Sequence, residues 1–211
     1  SPIQTYYHQA LLDNVQFEGN SFLEPCCGQG HISKLIEEYY PDAEVISQDL
    51  VDRGYGISGR DFLVSTFKDG NMNIVTNPPY KYAAEFVEKS MDIINDGCYT
   101  IMLLKLTFLE GLKRYEMFKK YPPKIIYVFS DRINCAKNGE FEKYTEQGGA
   151  ACYCWYIWQK GFNGDPIIKW INTEDVLKIN NTKPATRIIT FNKILSIISR
   201  PKIEPNIPVL L

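Results

Sequence analysis

Short apolar runs alternate with longer amphipathic segments along most of this 211-residue chain, and that alternation restricts the folds it can adopt. The runs have the length of strands. The intervening segments carry apolar residues at helical spacing, as in residues 83–94, where Ala84, Val87, Met91 and Ile94 recur. Strands that alternate with helices predict an α/β protein with a parallel sheet covered on both faces.

The same patterns predict the individual elements and a division of the chain. We expect strands at 21–25, 43–47, 72–76, 99–104, 124–129 and 151–158, and helices at 32–40, 83–94 and 109–121. The last two strands are joined by a polar stretch without a helical pattern, which favours an antiparallel pair at the edge of the sheet. Residues 1–175 are predicted to form the domain. Residues 176–211, rich in proline and helical only at 191–199, are predicted to form an arm that is packed on it or partly disordered.

Charge and cysteine usage exclude some classes of protein. The net charge of −2 argues against a protein that coats nucleic acid, but it is unevenly spread. Residues 1–60 hold three basic and nine acidic residues, and the remainder holds twenty and sixteen. Six cysteines without a C-x-x-C pair, and only two histidines, argue against a zinc site, so we predict free thiols and no metal. Without an apolar run of about 18 residues or a visible leader, a cytoplasmic location is expected.

A glycine-containing loop follows the first strand. Gly28 and Gly30 allow a sharp turn and close approach of a ligand to the backbone, although a plain strand-to-helix turn would look the same. Asp49 ends the second strand, where a carboxylate can accept hydrogen bonds from ribose hydroxyls; a solvated turn residue is the equal alternative. Asp61 and Phe62 suit an adenine ring, and their alternative is a loop acid beside a core aromatic residue.

Asn77-Pro78-Pro79-Tyr80, at the end of the third strand, is the most informative motif. The prolines fix two φ angles and remove two N–H donors, so the turn presents acceptors. The Asn77 side-chain oxygen is a further acceptor, and Tyr80 offers a ring for stacking. A group that donates from a planar amino nitrogen would fit such a turn.

Together these motifs resemble the class I S-adenosylmethionine-dependent methyltransferases, and in particular the N6-adenine DNA methyltransferases with an Asn-Pro-Pro-Tyr motif. The likeness runs from about residue 7 to residue 170. It implies a Rossmann-like, doubly wound and mostly parallel seven-stranded sheet with an antiparallel last strand. It also implies S-adenosyl-L-methionine as cofactor and methyl transfer to an amino nitrogen, N6 of adenine in DNA above all.

The resemblance assigns roles to individual residues. The implied catalytic residues are Asn77, Pro78, Pro79 and Tyr80. The implied cofactor-binding residues are Tyr7, Glu24, Pro25, Cys26, Gly28, Gly30, Asp49, Leu50, Asp61, Phe62 and Asn77. The implied substrate-binding residues are Tyr80, Lys105, Arg132 and Lys137. Residues 6–10 depart from the family motif that precedes the first strand.

The substrate and the partners stay open at this stage. Relatives that act on specific DNA sequences usually carry a recognition domain, so we expect recognition by loops, by a second copy of the chain or by a partner subunit. The basic stretch 105–124 either contacts phosphates or forms a solvated helix face. RNA bases and protein glutamine are alternative substrates, and a non-catalytic partner subunit with this fold is a further alternative. A bacterial or phage cytoplasm is the expected setting.

Overall fold

The computed structural model describes residues 8, 11–12, 21–130 and 152–171, and its centre is one seven-stranded sheet. The strands are β1 (Ser21–Glu24), β2 (Glu44–Ser47), β3 (Asn73–Thr76), β4 (Tyr99–Lys105), β5 (Ile125–Phe129), β6 (Tyr153–Gln159) and β7 (Ile167–Ile171). The helices of the described region are α1 (His31–Tyr39), α2 (Ala83–Ile93) and α3 (Leu112–Lys120), with 3₁₀ turns at Tyr80–Tyr82 and Leu106–Leu109. These bounds agree closely with the predicted elements.

All described residues belong to a compact unit, Ser1–Thr173. The predicted division at 175/176 stays a prediction, and the predicted helix 191–199 lies outside the described residues. No helix of the described residues combines the length and the apolar character that a membrane span requires.

The sheet has the order β2-β1-β3-β4-β6-β5-β7. Strands β1 to β4 pair in parallel, and β5 pairs in parallel with β7. Strand β6 is antiparallel to both β4 and β5. The mostly parallel α/β sheet with an antiparallel β6 is therefore confirmed, but β6 lies inside the sheet instead of at its edge. Sequence analysis does not identify β7, because four of its five residues are exposed and it lacks the alternation of a half-buried strand.

Both faces of the sheet are covered, as the resemblance implies for a doubly wound fold. One face packs against α2 and α3 in a single core, to which the sheet contributes Leu23, Ile74, Met102, Leu104, Ile126, Cys154, Tyr156 and Trp158. The residues between them in the strands, including Phe22, Val75, Ile101 and Leu103, are also buried, at 0–3% exposure. Helix α1 covers this second face, where Ser33 contacts Glu24 of β1. The helical residues His8, Leu11 and Leu12 are buried too.

Candidate functional site

The candidate site lies where the order of the sheet reverses. The chain passes from β1 outward to β2 and then returns to β3 on the other side of β1. The carboxyl ends of β1 and β3 are thus neighbours at one edge, and the connections that follow them diverge. In open α/β sheets, such a switch point is where ligands bind. The glycine loop follows β1 and the Asn77 turn follows β3, so the fold brings the two predicted motifs together.

The two glycines of the loop have different surroundings. Both adopt left-handed φ angles, 55° at Gly28 and 78° at Gly30. A Cβ on Gly30 would lie 2.4 Å from the ring of Tyr55, whereas the nearest atom to a Cβ on Gly28 is 4.0 Å away, in Arg53. Gly30 therefore makes room for packing inside the protein. Gly28 leaves an open approach to the backbone.

Asp49 closes the other side of the loop. Its Oδ2 accepts a hydrogen bond from the Gly28 amide at 2.8 Å, and its Oδ1 accepts one from the Val51 amide at 2.9 Å. The partly exposed carboxylate is held in place by two backbone donors, and each oxygen retains a lone pair for a further donor. Neighbouring Leu50 is 60% exposed, which leaves a large apolar side chain at the rim of the site.

Glu24 lies beneath the loop and does not face solvent. It is 2% exposed, and its Oε2 accepts hydrogen bonds from the Ser33 amide at 2.8 Å and from the Ser33 hydroxyl. Ser47 in turn donates to the Ser33 hydroxyl at 2.6 Å, so β1, β2 and α1 meet in one polar cluster. Burial, with a smaller contribution from the Asp49 charge, raises the pKa of Glu24 to about 8, although the Ser33 bonds oppose this increase. In this structure, then, Glu24 positions the loop and α1.

The neighbouring thiols are protonated at neutral pH. Burial raises the pKa of Cys26 to about 12 and that of Cys27 to about 11, with smaller contributions from the Asp49 and Glu24 charges. The Cys27 thiol donates to the Tyr55 carbonyl at 3.5 Å, while Pro25 is buried beside it. These residues shape the loop. The described residues include no group of three or more His, Cys, Asp or Glu side chains arranged to hold a metal ion.

Asp61 and Phe62 have opposite environments. Asp61 is partly exposed, and its Oδ1 accepts a hydrogen bond from the Leu63 amide at 3.0 Å. Phe62 is 2% exposed and packs against Phe67 and Phe86, with ring centroids 5.8 and 5.1 Å away. The structure therefore offers the Asp61 carboxylate to a ligand and places the Phe62 ring in the core.

The Asn77-Pro78-Pro79-Tyr80 turn presents its acceptors selectively. Asn77 is exposed, whereas the Pro79 carbonyl accepts the Tyr82 amide at 2.9 Å and is used within the turn. The Asn77 side chain is thus the exposed acceptor of the turn, whereas Pro78 is buried and its carbonyl accepts none of the described backbone hydrogen bonds. Tyr80 is 39% exposed, and its ring lies 5.8 Å from that of Tyr153. The contact arises because antiparallel β6 begins at the edge where the parallel strands end.

The predicted substrate-binding cations are only partly described. The Lys105 ammonium lies 5.7 Å from the centroid of the Tyr80 ring, at the end of β4. Arg132, Lys137 and the predicted cofactor residue Tyr7 lie outside the described residues. On α3, Lys119 pairs with Glu116 at 3.3 Å and Lys120 with Asp92 at 3.6 Å. These two exposed lysines agree with the alternative that part of the stretch 105–124 is a solvated helix face, whereas Lys105 lies at the candidate site.

Sequence reasoning misses several residues that build this site. Tyr55 packs on Gly30, Ser33 holds Glu24, and Tyr153 contacts Tyr80. Tyr55 stands in the glycine-rich segment 53–59, which is a local signal for a loop near the site. Ser33 and Tyr153 carry no such signal, because each acts across elements distant in sequence.

Comparisons with known proteins give structural matches and no sequence match. No protein-family model matches the sequence, and none of the curated proteins matches it. A Listeria monocytogenes protein described as a class I S-adenosylmethionine-dependent methyltransferase superposes with a TM-score of 0.55 at 13% identity, over 92% of this chain and 70% of that protein. The methyltransferase subunit of a type I restriction-modification system from Streptococcus thermophilus gives 0.58 at 12%, over 92% and 52%. The M protein of the type I restriction enzyme EcoKI gives 0.55 at 13%, over 82% and 48%.

These matches define the fold. The chain has the class I S-adenosylmethionine-dependent methyltransferase fold, with similarity in structure to the methyltransferases of restriction-modification systems. It spans about half the length of the two restriction-modification proteins.

Proposed function

We propose that this chain is an S-adenosylmethionine-dependent methyltransferase that transfers a methyl group to N6 of adenine in DNA. One observation carries the proposal: the acceptor turn at Asn77 adjoins the glycine loop at the switch point of the sheet. Because one fold hosts many functions, it is the site residues and not the fold that support this proposal.

The residues at the loop fit the cofactor. Gly28 leaves space above its backbone, and the Asp49 carboxylate keeps acceptor capacity for ribose hydroxyls. Asp61 supplies a partly exposed acceptor for an amino group, and Leu50 supplies an apolar surface for a ring. When bound, S-adenosylmethionine supplies an electrophilic methyl group on its sulfonium.

The acceptor turn prepares the amino nitrogen. The lone pair of an aromatic amine is delocalised into its ring, which makes the nitrogen a weak nucleophile. The Asn77 side-chain oxygen and the Pro78 carbonyl accept its two N–H bonds, which favours tetrahedral geometry and localises the lone pair. Tyr80 stacks on the base, which must leave the duplex to reach the turn. Positioning and electrostatics supply the catalysis.

The experiment is parallel transfer of a tritiated methyl group to unmethylated DNA, RNA and lysate protein, with hydrolysis to identify the labelled atom. We expect label on N6 of adenine from DNA. Label found only in RNA or only on protein glutamine would refute DNA as the substrate and identify the alternative substrate instead. No transfer together with no cofactor binding in calorimetry would refute the enzyme and favour the non-catalytic alternative.

Replacement of the key acceptor tests the mechanism. Asn77→Ala should lower kcat by about 10²–10³-fold, because it removes a preorganised acceptor of the transition state. Calorimetry should show cofactor affinity within about twofold of the unmodified chain. Asn163→Ala, in the exposed loop before β7, is the matched control and should leave kcat unchanged. If Asn77→Ala had the same kcat as Asn163→Ala, the proposed mechanism would be refuted.

A further inference from the structure

A second concave site adjoins the acceptor turn on the side away from the glycine loop. It is a cavity of about 110 Å³ between Tyr80 and Ala83 on one side and the 3₁₀ turn Leu106–Leu109 with Arg114 on the other. Lys105 lies at its wall. The cavity is lined by both aromatic rings and cations, and no acidic side chain is among the lining residues.

Among the described residues, the two cations of the cavity have no acidic partner. In the described part of the chain, the ion pairs involve Lys119 and Lys120 and leave out Lys105 and Arg114. The Lys105 ammonium faces the Tyr80 ring, and the Arg114 guanidinium lies 5.1 Å from the centroid of the Phe108 ring. Two positive charges that meet at one cavity without a counter-charge attract an anion.

Arg114 is held in position before any ligand arrives. Its Nε donates to the Glu110 carbonyl at 2.8 Å, and its Nη2 donates to the same carbonyl and to that of Thr107 at 3.4 Å. A Cβ on Gly111 would lie 3.0 Å from Nη2, so the glycine leaves room for the guanidinium. A preorganised guanidinium loses little entropy when its remaining donors bind an oxyanion.

We propose that this cavity binds a phosphodiester of the polynucleotide strand whose target base stacks on Tyr80, with Lys105 and Arg114 as the phosphate ligands. The inference rests on the proposed function and makes its substrate class more specific. A glutamine side chain brings no anion to this place, whereas every nucleotide of DNA or RNA brings one. The uncompensated cations therefore favour a nucleic-acid substrate.

Binding of labelled single-stranded oligonucleotides, followed by fluorescence anisotropy across a salt series, tests the proposal without methyl transfer. Lys105→Met and Arg114→Met should each weaken binding about tenfold, as expected for loss of a charge-assisted hydrogen bond. Each should also reduce the slope of log K against log salt by about 1. Lys119→Met, an ion-paired lysine on α3, is the control and should stay within about twofold.

A second experiment modifies the oligonucleotide to locate the bound phosphate. It keeps the proposal testable even if Arg114→Met destabilises the neighbouring turn Leu106–Leu109. One phosphate at a time is replaced by an uncharged methylphosphonate in DNA, and the unmodified sequence is also tested as RNA. At one position the neutral phosphate should weaken binding about a hundredfold for the unmodified protein but only about tenfold for Lys105→Met, in which Arg114 is the one remaining phosphate ligand. Equal losses in the control, or additive losses at every position, would overturn the inference. Because binding is the readout, a failure of methyl transfer is distinguishable from a failure of this site.

Discussion

At the scale of single residues, the two glycines of the loop have different roles: Gly28 leaves the backbone open to a ligand, and Gly30 makes room for an internal side chain. Both require a left-handed backbone, which costs a residue with a Cβ about 1–2 kcal/mol. Only Gly30 also lies against a ring, that of Tyr55. A matched pair of alanine substitutions therefore isolates the contribution of this packing.

Gly30→Ala should lower the free energy of unfolding by about 1–3 kcal/mol more than Gly28→Ala, because its methyl group must displace Tyr55. Gly28→Ala should keep most of the stability and weaken S-adenosylmethionine binding, since the methyl group enters the open face of the loop. Urea unfolding and calorimetry measure the two effects. Equal destabilisation by both substitutions would contradict this prediction, because it would show that the Tyr55 ring moves aside at no cost in free energy.

At the scale of secondary-structure elements, a buried tyrosine fixes the end of β4 beside the acceptor turn. The Tyr156 hydroxyl donates towards the carbonyls of Lys105 and Leu106, which lie 3.1 and 3.2 Å away, and its ring packs edge-to-face on Phe108. Tyr156→Phe keeps the ring and leaves these carbonyls without this donor. We expect a loss of about 1–3 kcal/mol in stability and weaker oligonucleotide binding, because Lys105 loses its support.

The control for this prediction is Tyr127→Phe, a buried tyrosine on the neighbouring strand β5 and away from the cavity. It should leave oligonucleotide affinity within about twofold at any given fraction of folded protein. Loss of affinity in both variants would assign the effect to the sheet as a whole.

Most elements were predictable from the sequence, because buried strands and amphipathic helices leave periodic patterns. The common location of Asn77, Gly28 and Asp49 was predictable for a topological reason: each follows a parallel strand, and parallel strands end at one edge. Strand β7 was not predictable, since an exposed edge strand has no pattern. The position of the Arg114 guanidinium was not predictable either, because it depends on contacts that form only in the folded chain.

At the scale of the whole molecule, the uneven charge follows the two sides of the switch point. Seven of the nine acidic residues of 1–60 lie in residues 21–60, the part of the chain that contains β1, the glycine loop, α1 and β2. The uncompensated cations Lys105 and Arg114 lie beyond β3, at the far side of the acceptor turn. A net charge of −2 therefore coexists with a locally positive surface for the proposed substrate strand.

Two buried groups, one histidine and one carboxyl, contribute opposite pH dependences to stability. Burial lowers the pKa of His8 from 6.5 to about 3, with a smaller contribution from His31. Glu24 goes the other way, from 4.5 to about 8. Between pH 6.5 and 3, His8 is protonated in the unfolded chain but not in the folded chain. Stability therefore falls as pH falls through this range. Between pH 4.5 and 8 folded Glu24 keeps a proton that the unfolded chain releases, so stability falls as pH rises.

The two effects oppose each other from pH 4.5 to 6.5, so they predict a stability plateau there, with a loss towards pH 8 that belongs to Glu24. Glu24→Gln imitates the protonated carboxyl and should remove that alkaline loss, which is at most about 1.4 kcal/mol per pH unit for one proton. The acid loss should persist, because His8 is unchanged. Urea unfolding from about pH 3 to 8.5 measures both the acid and the alkaline loss of stability, with Glu38→Gln on the exposed face of α1 as the control. An alkaline limb that survives in Glu24→Gln, or disappears equally in Glu38→Gln, would show that the buried carboxyl does not set it.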